Sequence, residues 1–342
     1  NTNTSYSVWT AFDWPIDPQW DVTGFAKWFY RKNGLDQRAL EPLQTSFLGQ
    51  GSPYIRQLGQ LRANAEFGYQ PIRGSRAALG YRADYTHRKL QYAALGVQPE
   101  ESLIRPDSLH HIFYLAGRLR SRSFQARAEA GYDWGPETAY PNEFSKSVYV
   151  EGRGSYTIPA STPVTLAVSG RFEDGKAPGF VVQAANSQTK EYKRLTWNYD
   201  VTLTTVPLEN LVVFATYNQW HDDQDFNHVR SQQARFDDPF LQNLFYIDSD
   251  QRYSSDIYSL SLGGSHPLGG LAEVSTAVSL TWTRANFSES SQTGRLLEVN
   301  NEIRNRIVTF EFDAEREVVP AVTLGVGYRL QAFDDTAPTQ VL

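Results

Sequence analysis

Residues 195–204 read Leu-Thr-Trp-Asn-Tyr-Asp-Val-Thr-Leu-Thr, apolar and polar in strict alternation. In an extended strand successive side chains point to opposite faces. Leu195, Trp197, Tyr199, Val201 and Leu203 therefore share one face, and Thr196, Asn198, Asp200, Thr202 and Thr204 share the other. A stretch of about ten such residues also suits a tilted crossing of a bilayer's hydrocarbon layer. The same design recurs along the chain and predicts an antiparallel transmembrane β-barrel, apolar outside and polar within.

The alternation predicts about fourteen strands. The first runs through Tyr6, Val8, Thr10, Phe12 and Trp14, and the second through Val22, Gly24, Ala26, Trp28 and Tyr30. Leu61–Tyr69, Ala77–Tyr85, Phe113–Leu119, Phe124–Trp134, Val148–Ile158 and Val164–Phe172 follow. The remainder are Leu195–Thr205, Leu211–Gln219, Tyr258–Gly264, Val274–Arg284, Val308–Ala314 and Val322–Ala332.

Connections alternate between short and long. Short ones lie at Ile16-Asp17-Pro18, at 71–75, 120–122, 159–163, 207–210 and 267–270, and at Pro320, all but one of them holding Pro or Gly. Proline cannot donate to a ladder and glycine accepts positive φ, so both end strands. Long connections are expected near 33–58, 97–110, 135–145, 174–192, 221–253 and 286–303. Bacterial outer-membrane barrels show this asymmetry, with tight turns on the periplasmic side. On that orientation both ends of the chain fall on the long-loop side. At least one further strand is then expected at each end, with 1–342 one barrel domain of 16 or more strands in the full protein.

Composition narrows the classes. The chain of 342 residues carries 8 Trp, 19 Tyr and 19 Phe, a supply suited to interfacial girdles. Mean hydropathy is negative, and no apolar run is long enough for a membrane-crossing helix. Zero cysteines remove disulfides, thiolate metal sites and a cysteine nucleophile. A formal charge of −6 disfavours nucleic acid as a partner. Zero Met and the lack of a signal peptide suggest a processed chain.

With the apolar face on lipid, the opposite face lines the lumen. The pore-lining candidates are Arg62, Glu66, Arg82, Asp84, Arg127, Glu129, Glu151, Arg153, Arg171, Asp200, Glu311 and Arg329. Asn64, Gln125, Asp133, Glu173, Asn198, Asp313 and Gln331 share that parity. A midplane arginine on lipid would cost about 2–4 kcal/mol, so these charges belong inside. Two roles are open for them: an ion-pair lattice that stiffens the wall, or a solute-contacting pore lining. Both signs occur in similar number, so neither anion nor cation preference follows.

No catalytic motif is present: no nucleophile elbow, Walker A segment or dinucleotide-binding glycine pattern. The chain is read as a non-enzyme without cofactor or metal. The stretch His221-Asp222-Asp223-Gln224-Asp225-Phe226-Asn227-His228 reads as an acidic loop. Its carboxylates suit Ca²⁺ in type, but their spacing fits no EF-hand. His221, Asp222 and Asp223 would be the candidates for any rim chemistry. His87, His110, His111 and His266 fall near strand ends, outside any metal spacing.

As a whole the pattern resembles Gram-negative outer-membrane, porin-like barrels, which implies residence in the bacterial outer membrane with lipid as a partner. A narrower likeness rests on Thr205-Val206-Pro207-Leu208-Glu209-Asn210-Leu211 followed by Tyr217, and on the stretch 327–336. Both resemble strand–turn–strand units of the barrel subunit in porin–cytochrome conduits (the MtrB/PioB family). That resemblance implies a barrel sheathing a multihaem cytochrome. A comparable likeness exists to barrels of exopolysaccharide export systems. The expected function is a porin-like conduit with a mixed-charge lumen. The alternatives are a scaffold around a periplasmic or lumenal partner protein, and a receptor or adhesin using the loops at 33–58 and 221–253.

Overall fold

A computed structural model describes residues 4–33, 54–91, 106–138, 143–178, 181–182, 187–188, 192–233, 245–269, 271–291, 299–319 and 322–336. Fourteen long strands form one antiparallel sheet. They are β1 (Thr4–Pro15), β2 (Trp20–Lys32), β3 (Tyr54–Tyr69), β4 (Ser75–Gln91), β5 (Asp107–Arg120), β6 (Phe124–Glu137), β7 (Lys146–Ile158) and β8 (Val164–Ala177), then, after two short pieces, β11 (Tyr192–Leu208), β12 (Leu211–Gln233), β13 (Phe245–Pro267), β14 (Glu273–Ser291), β15 (Val299–Val319) and β16 (Val322–Thr336). The short pieces β9 (Val181–Val182) and β10 (Ser187–Gln188) pair with each other, and β10 also meets β12 at Arg230. Every long strand pairs with its neighbours in sequence, and β8 pairs with β11 across the short pieces.

The sheet is open. Its edges are β1 and β16, and no ladder joins them among the described residues. Barrel closure, expected above, is thus not present in this sheet.

The turns follow from their residues. Asp17 accepts backbone N–H bonds from Gln19 (2.7 Å) and Trp20 (2.8 Å), an Asx turn that reverses the chain into β2. Between β11 and β12 the link is Glu209-Asn210, with Asn210 at φ 64°, a conformation asparagine tolerates better than most residues. Gly74 turns at φ 87°, where an added Cβ would run into the Arg120 carbonyl oxygen.

Most strands run further towards the long connections than the alternation indicated. The largest difference is at 221–253, expected as a loop: β12 continues to Gln233 and β13 starts at Phe245. The stretch read as an acidic loop, 221–228, is therefore strand. Beyond Gln219 the outward residues are His221 and Asp223 instead of apolar ones, so the hydrophobic signal stops while the ladder continues.

Burial is inverted relative to a water-soluble protein. On one face Tyr114 and Tyr149 are each 2% exposed, and so is Glu129. On the other, Leu79 is 60% exposed, Leu115 64% and Val326 72%. The polar face is concave: one cavity of about 740 Å³ is lined by Arg62 of β3, Asp84 of β4, His110 of β5, Arg171 of β8, Arg194 of β11 and Trp220 of β12.

Aromatic rings border the convex apolar band at both ends. Near the short turns Trp20 packs against Phe67 (4.9 Å between centroids) and Tyr69 (4.5 Å). Near the long connections lie Tyr6 with Trp28 (5.2 Å), Trp197 with His221 (5.2 Å) and Tyr258 with Trp282 (5.2 Å). On β6 the outward residues run Phe124, Ala126, Ala128, Ala130, Tyr132, Trp134, aromatic at each end and small between. Ten residues at about 3.3 Å each make this stretch roughly 33 Å long along the strand.

Candidate functional site: the charged concave face

The ladder registers place all twelve pore-lining candidates on the concave face. Arg62 lies opposite Asp84, Arg127 opposite Arg153, Glu129 opposite Glu151, and Glu151 opposite Arg171. Asp200 lies opposite Ser169, and Glu311 opposite Arg329. Parity along each strand was readable from sequence; the partners are set by register.

Most of these charges are tied into a lattice. Arg62 forks onto Asp84 (2.8 and 3.1 Å), and Arg329 reaches Glu311 at 3.3 Å. Glu129 is a hub: it receives Arg82 (3.3 Å), Arg127 (3.1 Å) and the Tyr149 hydroxyl (2.7 Å). Arg171 bridges Glu151 (2.8 Å) and Glu173 (2.9 Å), and its guanidinium lies 4.4 Å over the Tyr149 ring. Ser147 donates to Glu173 at 2.6 Å. Asp200 accepts from Ser169 at 3.2 Å and from Asn218. Such a lattice satisfies charges that the crowded concave wall would otherwise leave without partners.

Several participants were not singled out from sequence. Arg76 binds Asp21 (2.7 Å) and Glu66 (2.6 Å) and thereby joins β2, β3 and β4. Tyr114 donates to Glu66 (2.9 Å) and accepts from Asn64 (2.7 Å), with Arg82 stacked 5.0 Å above its ring. Arg194 pairs with Asp222 (2.9 Å). His110 meets Asp133 through Nδ1 at 2.9 Å, while its Nε2 lies 3.3 Å from Glu143, off the line of a hydrogen bond. Arg76 and Arg118 share the parity of the chosen residues: Arg118 lies within the strand read from Phe113 to Leu119, and Arg76 one residue before the strand read from Ala77.

The concave face is not purely polar. Trp9 and Phe25 lie on it near the β1 edge, Trp9 being 70% exposed, and Trp220 and Ile257 face each other further round. No alternation signal marked these positions.

His221, Asp222 and Asp223 do not converge. Asp222 is buried on the concave face against Arg194. His221 and Asp223 point the other way, to Asp256 (2.7 Å) and Arg252 (2.6 Å) respectively. The side chains from 227 to 249 lie outside the described residues.

At the long-connection end of β4 and β5, Asp107 accepts from Tyr85 (2.9 Å) and bonds His87 Nδ1 (2.7 Å). Burial pushes the Asp107 carboxyl up, but the bonds from His87 and Tyr85 outweigh it and hold it below the usual carboxylate value.

Compared with known proteins, the sequence matches no family model and no curated relative.

Proposed function

We propose that this chain forms the wall of a bacterial outer-membrane channel, a porin-like β-barrel whose convex face meets lipid and whose concave face lines a polar conduit. One observation carries the reading: across the fourteen-stranded sheet the exposed large apolar side chains lie chiefly on the convex side, between two aromatic borders, while carboxylates and guanidiniums pair on the concave side. In water such an apolar surface would be a liability; in lipid it is the expected exterior. The reading includes closure, because unpaired peptide groups at the β1 and β16 edges are too costly in a hydrocarbon layer. A sheet of fourteen strands or more, once closed, encloses more than its side chains fill, leaving room for water.

A second reading has a specific observation behind it. Trp9 stands exposed on the side that a plain aqueous conduit would wet. A lumen occupied by a partner protein, as the resemblance to cytochrome-sheathing barrels implies, would cover Trp9 and Phe25.

Single-channel conductance of the purified full-length protein in a planar bilayer, with a visible absorbance scan of the same sample, separates the two. Steady conductance without haem absorbance supports the channel. A silent barrel that carries haem or a second polypeptide overturns it in favour of the sheath.

A further inference from the structure

At the short-turn end of the concave face, three arginines stand directly opposite one another on adjacent strands. The registers run Arg118 to Arg127 and Arg127 to Arg153, and Arg76 of β4 faces Arg118 on the other flank. Like charges in directly opposed positions repel. Two of the four are compensated: Arg76 by Asp21 and Glu66, and Arg127 by Glu129. Arg118 and Arg153 have no carboxylate partner among the described residues, and neither does Arg120 on the same face of β5.

The surrounding pocket is built for a ligand with several acceptor oxygens. It is a cavity of about 610 Å³ lined by Arg118, Arg120, Arg127 and Arg153 together with Gln125, Ser155, Ser169 and Thr202. Guanidiniums offer paired donors that fit phosphate and carboxylate oxygens two at a time, and neutral donors complete the coordination. The one carboxylate at its rim, Asp200, is already engaged by Ser169 and Asn218. Elsewhere on the concave wall Arg62, Arg76, Arg82, Arg171, Arg194 and Arg329 are each matched to an acid. Here they are left over, at one level of the wall.

We propose that this arginine row is a binding site for small oxyanionic solutes, phosphate or phosphate-bearing compounds, on the concave face near the short turns. An anion between Arg118 and Arg153 would neutralise the repulsion that the register imposes. The proposal deepens the channel reading by naming a solute class, and it rests on that reading only for transport. Binding itself needs no more than the concave pocket.

The test measures binding and passage separately. Inorganic phosphate is titrated by calorimetry into the detergent-solubilised full-length protein at low salt, alongside Arg118→Gln/Arg153→Gln and Arg118→Lys/Arg153→Lys. Folding of each is checked by circular dichroism. Wild type should bind phosphate, the Gln pair about tenfold or more weakly, and the Lys pair in between, since it keeps charge but loses the planar fork. Absence of phosphate binding to folded wild type, or equal binding by the Gln pair, overturns the proposal. If the Gln pair does not fold, the Lys pair decides: affinity unchanged from wild type overturns the proposal. Reversal potentials in a salt gradient then report on passage. Phosphate binding by a barrel that never conducts would sustain the site and sink the channel.

Discussion

The Tyr114 ring lies flat across Gly80 of the adjacent strand, and its hydroxyl reaches Glu66 one strand further on, at 2.9 Å. Tyr149 likewise covers Gly131 of the adjacent strand, with its hydroxyl 2.7 Å from Glu129 on the same strand as that glycine. A glycine beneath each ring lets an aromatic side chain lie along the wall, where it shields the ladder and carries a hydrogen-bond donor to a carboxylate.

Gly80→Val should therefore expel the Tyr114 ring, because a Cβ there would overlap Tyr114 Cζ. Overpacking costs about 1–3 kcal/mol, and the displaced hydroxyl abandons Glu66 and Asn64. Tyr114→Phe, which keeps the ring, should lose about 1.5–3 kcal/mol, the worth of a hydrogen bond to a charged group, while Glu66 keeps Arg76. Urea unfolding from lipid vesicles measures both. A Gly80→Val protein as stable as wild type would mean that the ring does not need that space.

Glu129 should be the most sensitive carboxylate on the concave wall. Glu129→Ala strands Arg82 and the Tyr149 hydroxyl, and loss of one partner from a buried ion pair costs about 3–5 kcal/mol. Arg82→Met combined with Glu129→Leu should be milder than Glu129→Ala, since no buried charge is then left alone. The ordering of the two, from the same unfolding titrations, is the check; the reverse order contradicts the hub role.

Two faces predict two outcomes for arginine substitution on β11. Val201→Arg and Tyr199→Arg place a charge on the convex band and should each cost about 2–4 kcal/mol in a bilayer. Thr202→Arg places it on the concave side, where it gives up a 3.1 Å hydroxyl contact with Thr216. Assembly into outer membranes, read as the heat-modifiable folded fraction, should fall for the first two and hold for the third. Equal behaviour at all three positions would refute the facing.

The clamp of Asp107 with His87 and Tyr85 should loosen in acid. Its carboxyl titrates below the usual value, so its contribution is complete at neutral pH and disappears as pH falls through that lowered value. Amide exchange at the 86–89 and 107–109 backbone should quicken in acid relative to Asp107→Asn, in which the pH-dependent part is missing. The pair is half-exposed, so the effect is local and salt-sensitive.

The strands and their facing were legible because an apolar face opposite a polar one imposes a period of two. That is why Leu195 to Leu203 announced β11 from five residues. The signal ends before the strand does: past Gln219 the outward positions become His221 and Asp223, and the strand persists on ladder bonds and on Asp223–Arg252. Pairing was not legible, because Arg76 finds Asp21 and Glu66 only through registers that turn lengths and bulges set, such as the irregularity between Leu109 and His111. Trp9 and Phe25 broke the pattern outright, since an aromatic on the concave face reads in sequence as one more apolar residue.

Among the described residues the fourteen long strands pair in their chain order, and the one ladder contact a long strand makes off that path joins β12 to the short piece β10. Such a meander is modular. A hairpin excised or duplicated between two long connections would leave every other register untouched and change the width of the sheet by two strand spacings, roughly 10 Å. The breadth of this sheet can thus be rescaled by gene duplication in discrete steps, while the arginine row on β5 to β7 stays on its own three neighbouring strands.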